Sequence, residues 1–264
     1  MILAIDCGNT NTVFALYTTS KQIKQLSSWR INNDSKRTAD LYYPWLLKMF
    51  EISKFDIQSI IGVSIASVVP ETLVNIKSLI KKYFNVKTFI VNENILDLGI
   101  KVNIENPNEA GADRLTNSYA AEKLKISPAI IIDFGTATTF DIVGDDGSYN
   151  GGIIAPGVNL SLDALYLATA NLPKVSIKPL IDLNTSIIGK NTVSAMESGI
   201  FWGYVSMIEG LIKKLKLVNN LSEYKVVATG GLCNLFKKSL RSIDIVVDDL
   251  TLIGLVKLYL NKIN

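Results

Sequence analysis

Two short stretches carry the residues best suited to chemistry. Ile5-Asp6-Cys7-Gly8-Asn9-Thr10-Asn11-Thr12 and Ile132-Asp133-Phe134-Gly135-Thr136-Ala137-Thr138-Thr139 are near-copies of one glycine-turn pattern, about half a chain apart. Each follows an apolar β-type run (Met1 to Ile5, Ala129 to Ile132) and precedes another (Val13 to Leu16, Phe140 to Val143). Gly8 and Gly135 can adopt positive φ and let a ligand approach the backbone. The Thr and Asn side chains and the turn amides add hydrogen-bond donors suited to phosphate oxygens. A carboxylate beside such a surface repels phosphate, so Asp6 and Asp133 make sense mainly if a cation lies between. One copy alone could be an ordinary hairpin turn, because Asp, Gly, Asn and Thr are common turn residues. Two copies in matching settings point to a duplicated fold in which each half lends one hairpin to a shared site.

A third stretch, Asn106-Pro107-Asn108-Glu109-Ala110-Gly111-Ala112-Asp113-Arg114, lies near the middle of the chain. Asn-Pro marks a turn and Glu109 suits a first helical turn, so Asp113 and Arg114 are expected early in a helix. A carboxylate there can accept the proton of a substrate hydroxyl during phosphoryl transfer, and the arginine can clamp an anionic group. An isolated Asp-Arg pair is more simply a solvated ion pair, but Gly111 beside it and the two hairpins favour the chemical reading. Two Gly-Gly turns, Thr229-Gly230-Gly231 and Gly151-Gly152 ahead of Ala155-Pro156-Gly157, would let a flat ring or a phosphate come close to the backbone. Either could equally be a tight connection. Asp145-Asp146-Gly147 reads as a hairpin turn.

Composition narrows the chemistry further. The chain has no histidine, which removes His-based acid–base catalysis, Ser-His-Asp triads and His-ligated metals. Two cysteines, Cys7 and Cys233, are too few for a disulfide framework or a Cys-based zinc site, and Cys7 reads as structural. Catalysis must rest on Asp, Glu, Lys, Arg, backbone dipoles and hard cations. The net charge of +3 comes from scattered lysines with no basic stripe, so no nucleic-acid partner is expected. No apolar run is long enough to span a bilayer, and Asp6 interrupts the N-terminal run that a signal peptide would need. A cytoplasmic enzyme without a membrane partner is the expectation.

The elements that must position these residues follow from hydrophobic periodicity. After the first hairpin come a strand (Gln22 to Ile31) and a helix (Arg37 to Phe50) with Leu41, Trp45, Leu46 and Met49 on one face. A strand over Ser59 to Ala66, a helix opened by Pro70 and a strand over Val86 to Val91 complete the first half. The second half repeats the logic: strands at Ala129 to Ile132, Thr138 to Val143 and Tyr149 to Ala155, then a helix from Val158. A long helix over Thr192 to Leu217, a strand over Lys225 to Ala228 and a final helix over Thr251 to Leu260 follow. This is an α/β chain with two related domains, 1–115 and 116–264, mixed sheets flanked by helices and a ligand cleft between them.

Taken in order and spacing, Asp6 to Thr12, Gly111-Ala112-Asp113-Arg114, Asp133 to Thr139 and Gly151 to Gly157 closely resemble type III pantothenate kinases. Trp29-Arg30-Ile31, Ser67-Val68-Val69-Pro70, Asn191-Thr192 and Thr229-Gly230-Gly231 support the match, which covers essentially the whole chain. The resemblance implies the actin-like (ribonuclease H-like) fold of sugar kinases and Hsp70-type ATPases, a homodimer, and phosphorylation of pantothenate by ATP to 4′-phosphopantothenate, the first step of coenzyme A synthesis. It implies that Asp6, Cys7, Gly8, Asn9, Thr10, Asn11, Thr12 and Val13 surround ATP, with Thr136 contacting it from the second loop. It makes Asp113 the general base, gives pantothenate to Gly111, Ala112, Asp113, Arg114 and Thr192, and puts a monovalent cation (potassium or ammonium) at Asp133. Magnesium would accompany the nucleotide near Asp6. One position departs from the family: Ile104 stands where a pantothenate-contacting tyrosine is usual. An isoleucine can pack against the substrate's methyl groups but cannot donate a hydrogen bond. The competing readings are a non-catalytic relative acting as a transcriptional accessory factor and another actin-like phosphotransferase or polyphosphate hydrolase. Retention of Asp6, Asp113, Arg114 and Asp133 argues for catalysis.

Overall fold

The computed structural model describes residues 1–20, 22–93, 98–169, 172–179 and 187–263. The first unit is built on a five-stranded sheet of β1 (Ile2–Cys7), β2 (Asn11–Tyr17), β3 (Gln25–Asn32), β4 (Gly62–Ser67) and β5 (Lys87–Ile90), in the order β3-β2-β1-β4-β5. β1 pairs antiparallel with β2 and parallel with β4, so the sheet is mixed. Strand alternation sorts its side chains onto two cores. Leu3 and Ile5 face a cluster with Tyr42, Leu46, Phe50, Ile76 and Leu79 from α1 (Ala39–Ile52) and α2 (Pro70–Tyr83). Ile2 and Ala4 face the opposite cluster with Leu115 and Tyr119 of α3 (Ala112–Lys123). The buried stripe of α1 is Tyr42, Leu46 and Phe50, at strict four-residue spacing, and not the face expected from Leu41, which is 61% exposed.

The second unit has β6 (Ala129–Phe134), β7 (Ala137–Val143), β8 (Tyr149–Pro156), β9 (Lys225–Thr229) and the two-residue β10 (Ile245–Val246), in the order β10-β9-β6-β7-β8. Replacing each first-unit strand by its successor five places on reproduces this order, with β6–β7 antiparallel and β6–β9 parallel. The duplication in the motifs is therefore a duplication of the sheet. Ile130, Ile132, Phe140 and Val226 pack against Phe201, Tyr204 and Ile208 of α5 (Thr192–Val218) and Phe236 of α6 (Cys233–Phe236). A further helix, α4 (Val158–Leu167), follows β8 directly.

The compact units are Met1–Lys125 with Gly147–Tyr149 and Asp249–Asn264, and Ile126–Asp146 with Asn150–Asp248. The expected boundary at 115/116 thus falls inside α3, and the last helix, α7 (Leu250–Ile263), belongs to the first unit. The reason is local packing. Leu252, Leu255, Val256 and Tyr259 share the cluster of Leu115 and Tyr119. Thr251 donates to Asn117 Oδ1 at 2.7 Å. Gly254 permits the close crossing, because a Cβ there would stand 2.6 Å from the Thr116 carbonyl oxygen. Among the described residues no helix is long and apolar enough to cross a membrane.

Candidate active site

In the first hairpin Cys7 pairs with Thr12 across β1 and β2, leaving residues 8–11 as the turn. The Gly8 N–H donates to Asn11 O at 2.9 Å. Gly8 and Gly135 were expected to exploit positive φ, yet neither does; the described glycines that do are Gly99, Gly147, Gly151 and Gly230. At Gly8 the constraint is space, since a Cβ would lie 3.3 Å from Asn11 O. The turn's carbonyls are drawn into the protein. Cys7 O accepts from Val68 N at 3.0 Å, and Thr10 O from Asn33 N at 2.8 Å. Gly8 O accepts from Asn33 Nδ2 at 2.9 Å. A planar trans peptide points its N–H opposite its C=O, so pinning Gly8 O turns the Asn9 N–H the other way. Asn9 and Thr10 are exposed, Asp6, Gly8, Asn11 and Val13 partly buried, and Cys7 and Thr12 fully buried. Burial first, and the Asp6 charge second, push the Cys7 thiol well above its ordinary range, which makes it an inert packing group. Cys7 and Thr12 offer no exposed surface to a ligand on this turn.

The same unit carries the Gly-Ala-Asp-Arg stretch, and Val13 packs against the cluster that contains Ala112. Gly111 is the N-cap of α3, so Asp113 and Arg114 sit in its first turn as expected. Asp113 Oδ1 accepts the Arg114 backbone N–H at 2.8 Å. A Cβ on Gly111 would stand 2.5 Å from that same Oδ1, so the glycine leaves room for the carboxylate. Burial raises the Asp113 carboxyl above the usual range, against the lowering pull of the Arg114 N–H and charge. The Arg114 guanidinium lies over the Tyr149 ring, 5.4 Å from its centroid. Tyr149 is itself fixed at both backbone ends, its N–H donating to Lys101 O and its O accepting from Asn103 N, each at 2.8 Å. That pairing also anchors the segment bearing Ile104, which is partly buried against the same cluster. Asn33 and Tyr149 are the residues that sequence reasoning missed. Neither belongs to a glycine-turn motif, and a lone Asn after a strand or Tyr at a strand start carries no signal of its own.

In the second unit the turn is tighter by one residue, with Phe134 facing Thr138. Gly135 N–H donates to Ala137 O at 3.0 Å, Thr136 O accepts from Gly157 N at 3.1 Å, and Phe134 O from Leu232 N at 3.3 Å. Thr136 is exposed and Thr138 buried, matching Thr12 in the first hairpin. Gly230, with φ of 92°, packs against Asp133, where a Cβ would stand 2.4 Å from Oδ1. The Gly-Gly turn expected to admit a ligand therefore cradles the second motif's carboxylate. Thr192 opens α5, where Asn191 and Ser194 form a reciprocal capping box, and it is exposed on the wall of a recess of about 660 Å³ shared with Leu165, Ala195 and Met196. Cys233 is buried, its thiol pushed up to about 11 chiefly by desolvation.

Among the described residues no group of three or more His, Cys, Asp or Glu could enclose a metal. The donors at hand are single carboxylates beside amide-rich turns, which fit a hard cation completing its shell with phosphate oxygens and water. The sequence profile of the type III pantothenate kinases matches residues 2–214. The chain belongs to that family. Type III pantothenate kinases of Caulobacter vibrioides and Zymomonas mobilis are 46% and 47% identical to it, over 98% and 99% of this chain and 97% and 93% of theirs. Among solved structures, a conserved Baf family protein from Campylobacter jejuni is 20% identical with a TM-score of 0.57, over 99% of both chains. Component A of the Acidaminococcus fermentans (R)-2-hydroxyglutaryl-CoA dehydratase is 14% identical with a TM-score of 0.56, over 99% of this chain and 98% of its own. At such identities these likenesses establish the fold, two actin-like domains with mixed sheets, and nothing about activity.

Proposed function

We propose that this type III pantothenate kinase family member transfers the γ-phosphoryl group of ATP to the primary hydroxyl of pantothenate, giving 4′-phosphopantothenate for coenzyme A synthesis. The observation that carries the chemistry is Asp113: a carboxylate at a helix start, with a raised pKa, a glycine beside it and an arginine next in sequence. Asp113 accepts the hydroxyl proton as the oxygen attacks phosphorus. Its raised pKa strengthens it as a base, because proton affinity rises with pKa. Arg114, steadied over Tyr149, holds the pantothenate carboxylate, with Gly111, Ala112 and Thr192 completing the contacts and Ile104 offering an apolar surface to its methyl groups. The amides and exposed side chains of Asn9, Thr10 and Thr136 receive phosphate oxygens.

Asp6 would hold magnesium together with the nucleotide phosphates, and Asp133 a potassium or ammonium ion. Such cations neutralise the charge that gathers on the phosphate oxygens. Other parts of this reading are a homodimer, a cytoplasmic location and the absence of nucleic-acid and membrane partners. The test is the product: incubation with ATP, magnesium and pantothenate should yield a single new phosphomonoester on the primary hydroxyl, seen by phosphorus NMR. ATP consumption without that ester would overturn the assignment. Replacing potassium by sodium should slow the reaction, and Asp133→Ala should lose both activity and cation response; potassium activation surviving in that variant would move the ion elsewhere.

A further inference from the structure

Asn33 lies outside every motif, yet it makes two of the brace contacts to the first turn. Its side-chain amide donates to Gly8 O at 2.9 Å and its backbone N–H to Thr10 O at 2.8 Å. The remaining end of the side chain is also engaged: Asn33 Oδ1 accepts the hydroxyl of Thr72 at 2.7 Å. Thr72 is fully buried in the first turn of α2, where it cannot swing to water. A second tie, Asn75 Nδ2 to Ser35 O at 2.9 Å, holds the same segment to the same helix. The orientation of the Asn33 amide is thereby fixed. Only its oxygen can face the Thr72 hydroxyl while its nitrogen faces a carbonyl, because Gly8 O has no proton to give.

The consequence falls on the turn. A loop that receives phosphate must present N–H groups and keep its C=O groups away, since a carbonyl oxygen beside a phosphate oxygen is repulsive. Asn33 withdraws two of the carbonyls of this short turn, and the planar peptide then turns the Asn9 N–H outward. We propose that Asn33 is a positioning residue for the ATP phosphate loop, anchored by Thr72, and that this relay presets the loop before nucleotide arrives. The proposal rests on the reading of Asp6 to Val13 as the ATP loop. Preorganised donors cost no rearrangement when charge arrives, so the relay acts on nucleotide affinity and on the transfer step, not on pantothenate.

The experiment measures ATP affinity by titration calorimetry, and KM for ATP and for pantothenate, in the wild type, Asn33→Ala, Asn33→Asp, Thr72→Val and Thr72→Ser. Asn33→Asp keeps the acceptor for Thr72 but cannot donate to Gly8 O, and Asn33→Ala removes the same donor without adding a charge that would itself repel phosphate. We expect about a tenfold weaker ATP affinity in Asn33→Ala and Asn33→Asp, a smaller loss in Thr72→Val that Thr72→Ser restores, and a pantothenate KM within about twofold of wild type. Thermal melts identify any variant that fails to fold, and Thr72→Val, nearly isosteric, then decides the matter. Equal rises in both KM values, or unchanged ATP affinity in folded Asn33→Asp, would refute the positioning role. A wild-type protein that binds no ATP would instead refute the reading of the loop itself.

Discussion

The β1–β2 turn and the β6–β7 turn differ by one residue and in what holds them. Asp6 faces Val13 across the first, whereas Asp133 faces Thr139 across the second. The longer turn is braced by Asn33 through both side chain and backbone, with Thr72 behind it. In the tighter turn the Gly157 main-chain N–H holds Thr136 O, while Phe134 O accepts from Leu232 N just as Cys7 O accepts from Val68 N in the first. Both arrangements draw carbonyls away from the turn and bury one threonine, Thr12 or Thr138. The difference teaches that the support at the strand end is duplicated, whereas the brace at the tip of each turn is not. A side-chain brace can be weakened in steps by substitution, but a backbone brace built on glycine leaves no room for a graded change.

That contrast can be broken experimentally, and the backbone brace should give the larger effect. A Cβ at Gly157 would stand 2.1 Å from Thr136 O, backbone against backbone. Gly157→Ala should therefore displace the second turn, cost roughly 1–3 kcal/mol of stability and lower kcat/KM by about a hundredfold; steady-state kinetics with a denaturant melt check it. Wild-type kinetics in that variant would mean that the Gly157 contact supports nothing. A smaller effect is expected at Gly111, where the obstructed atom is a side-chain oxygen that can rotate away. Gly111→Ala should lower kcat about tenfold while leaving ATP affinity unchanged, because it moves the base and touches neither turn. A loss of ATP affinity there would show that the two functions are not separable.

The mildest prediction concerns pH. Because burial raises the Asp113 carboxyl, the acid limb of kcat/KM should lie above the ordinary aspartate range. The sign for stability follows from linkage. A raised carboxyl favours the fold while protonated, and that contribution is lost as pH rises through the folded-state pKa. Asp113→Asn should consequently melt higher than wild type at neutral pH, with the difference vanishing in acid; a lower melting temperature at neutral pH would contradict the cause assigned to the shift.

Much of this was legible in the residues. The hairpins, the α2 start at Pro70 and the span of α5 follow from alternation, proline placement and capping, which are local signals. The strand order of each sheet fits the repeated motif. What could not be read is long-range. Periodicity shows that α7 is an amphipathic helix but not that Gly254 lets it cross α3, which returns the chain's end to the first unit. The brief α6 and β10 are too short to carry a period. Gly8 and Gly135 illustrate a subtler limit: the glycine is legible, but close packing and positive φ demand the same residue for different reasons. The Asn33 and Tyr149 braces are single polar or aromatic residues whose partners lie in other elements of the fold.

The most direct test of the account compares ADP release by wild type and Asp113→Asn, with magnesium and potassium, in the presence and absence of pantothenate. Turnover should depend on pantothenate in the wild type and fall about a thousandfold in Asp113→Asn, with ATP affinity essentially retained. Release that ignores pantothenate, or near-normal turnover by Asp113→Asn, would contradict a pantothenate kinase whose Asp113 takes the proton.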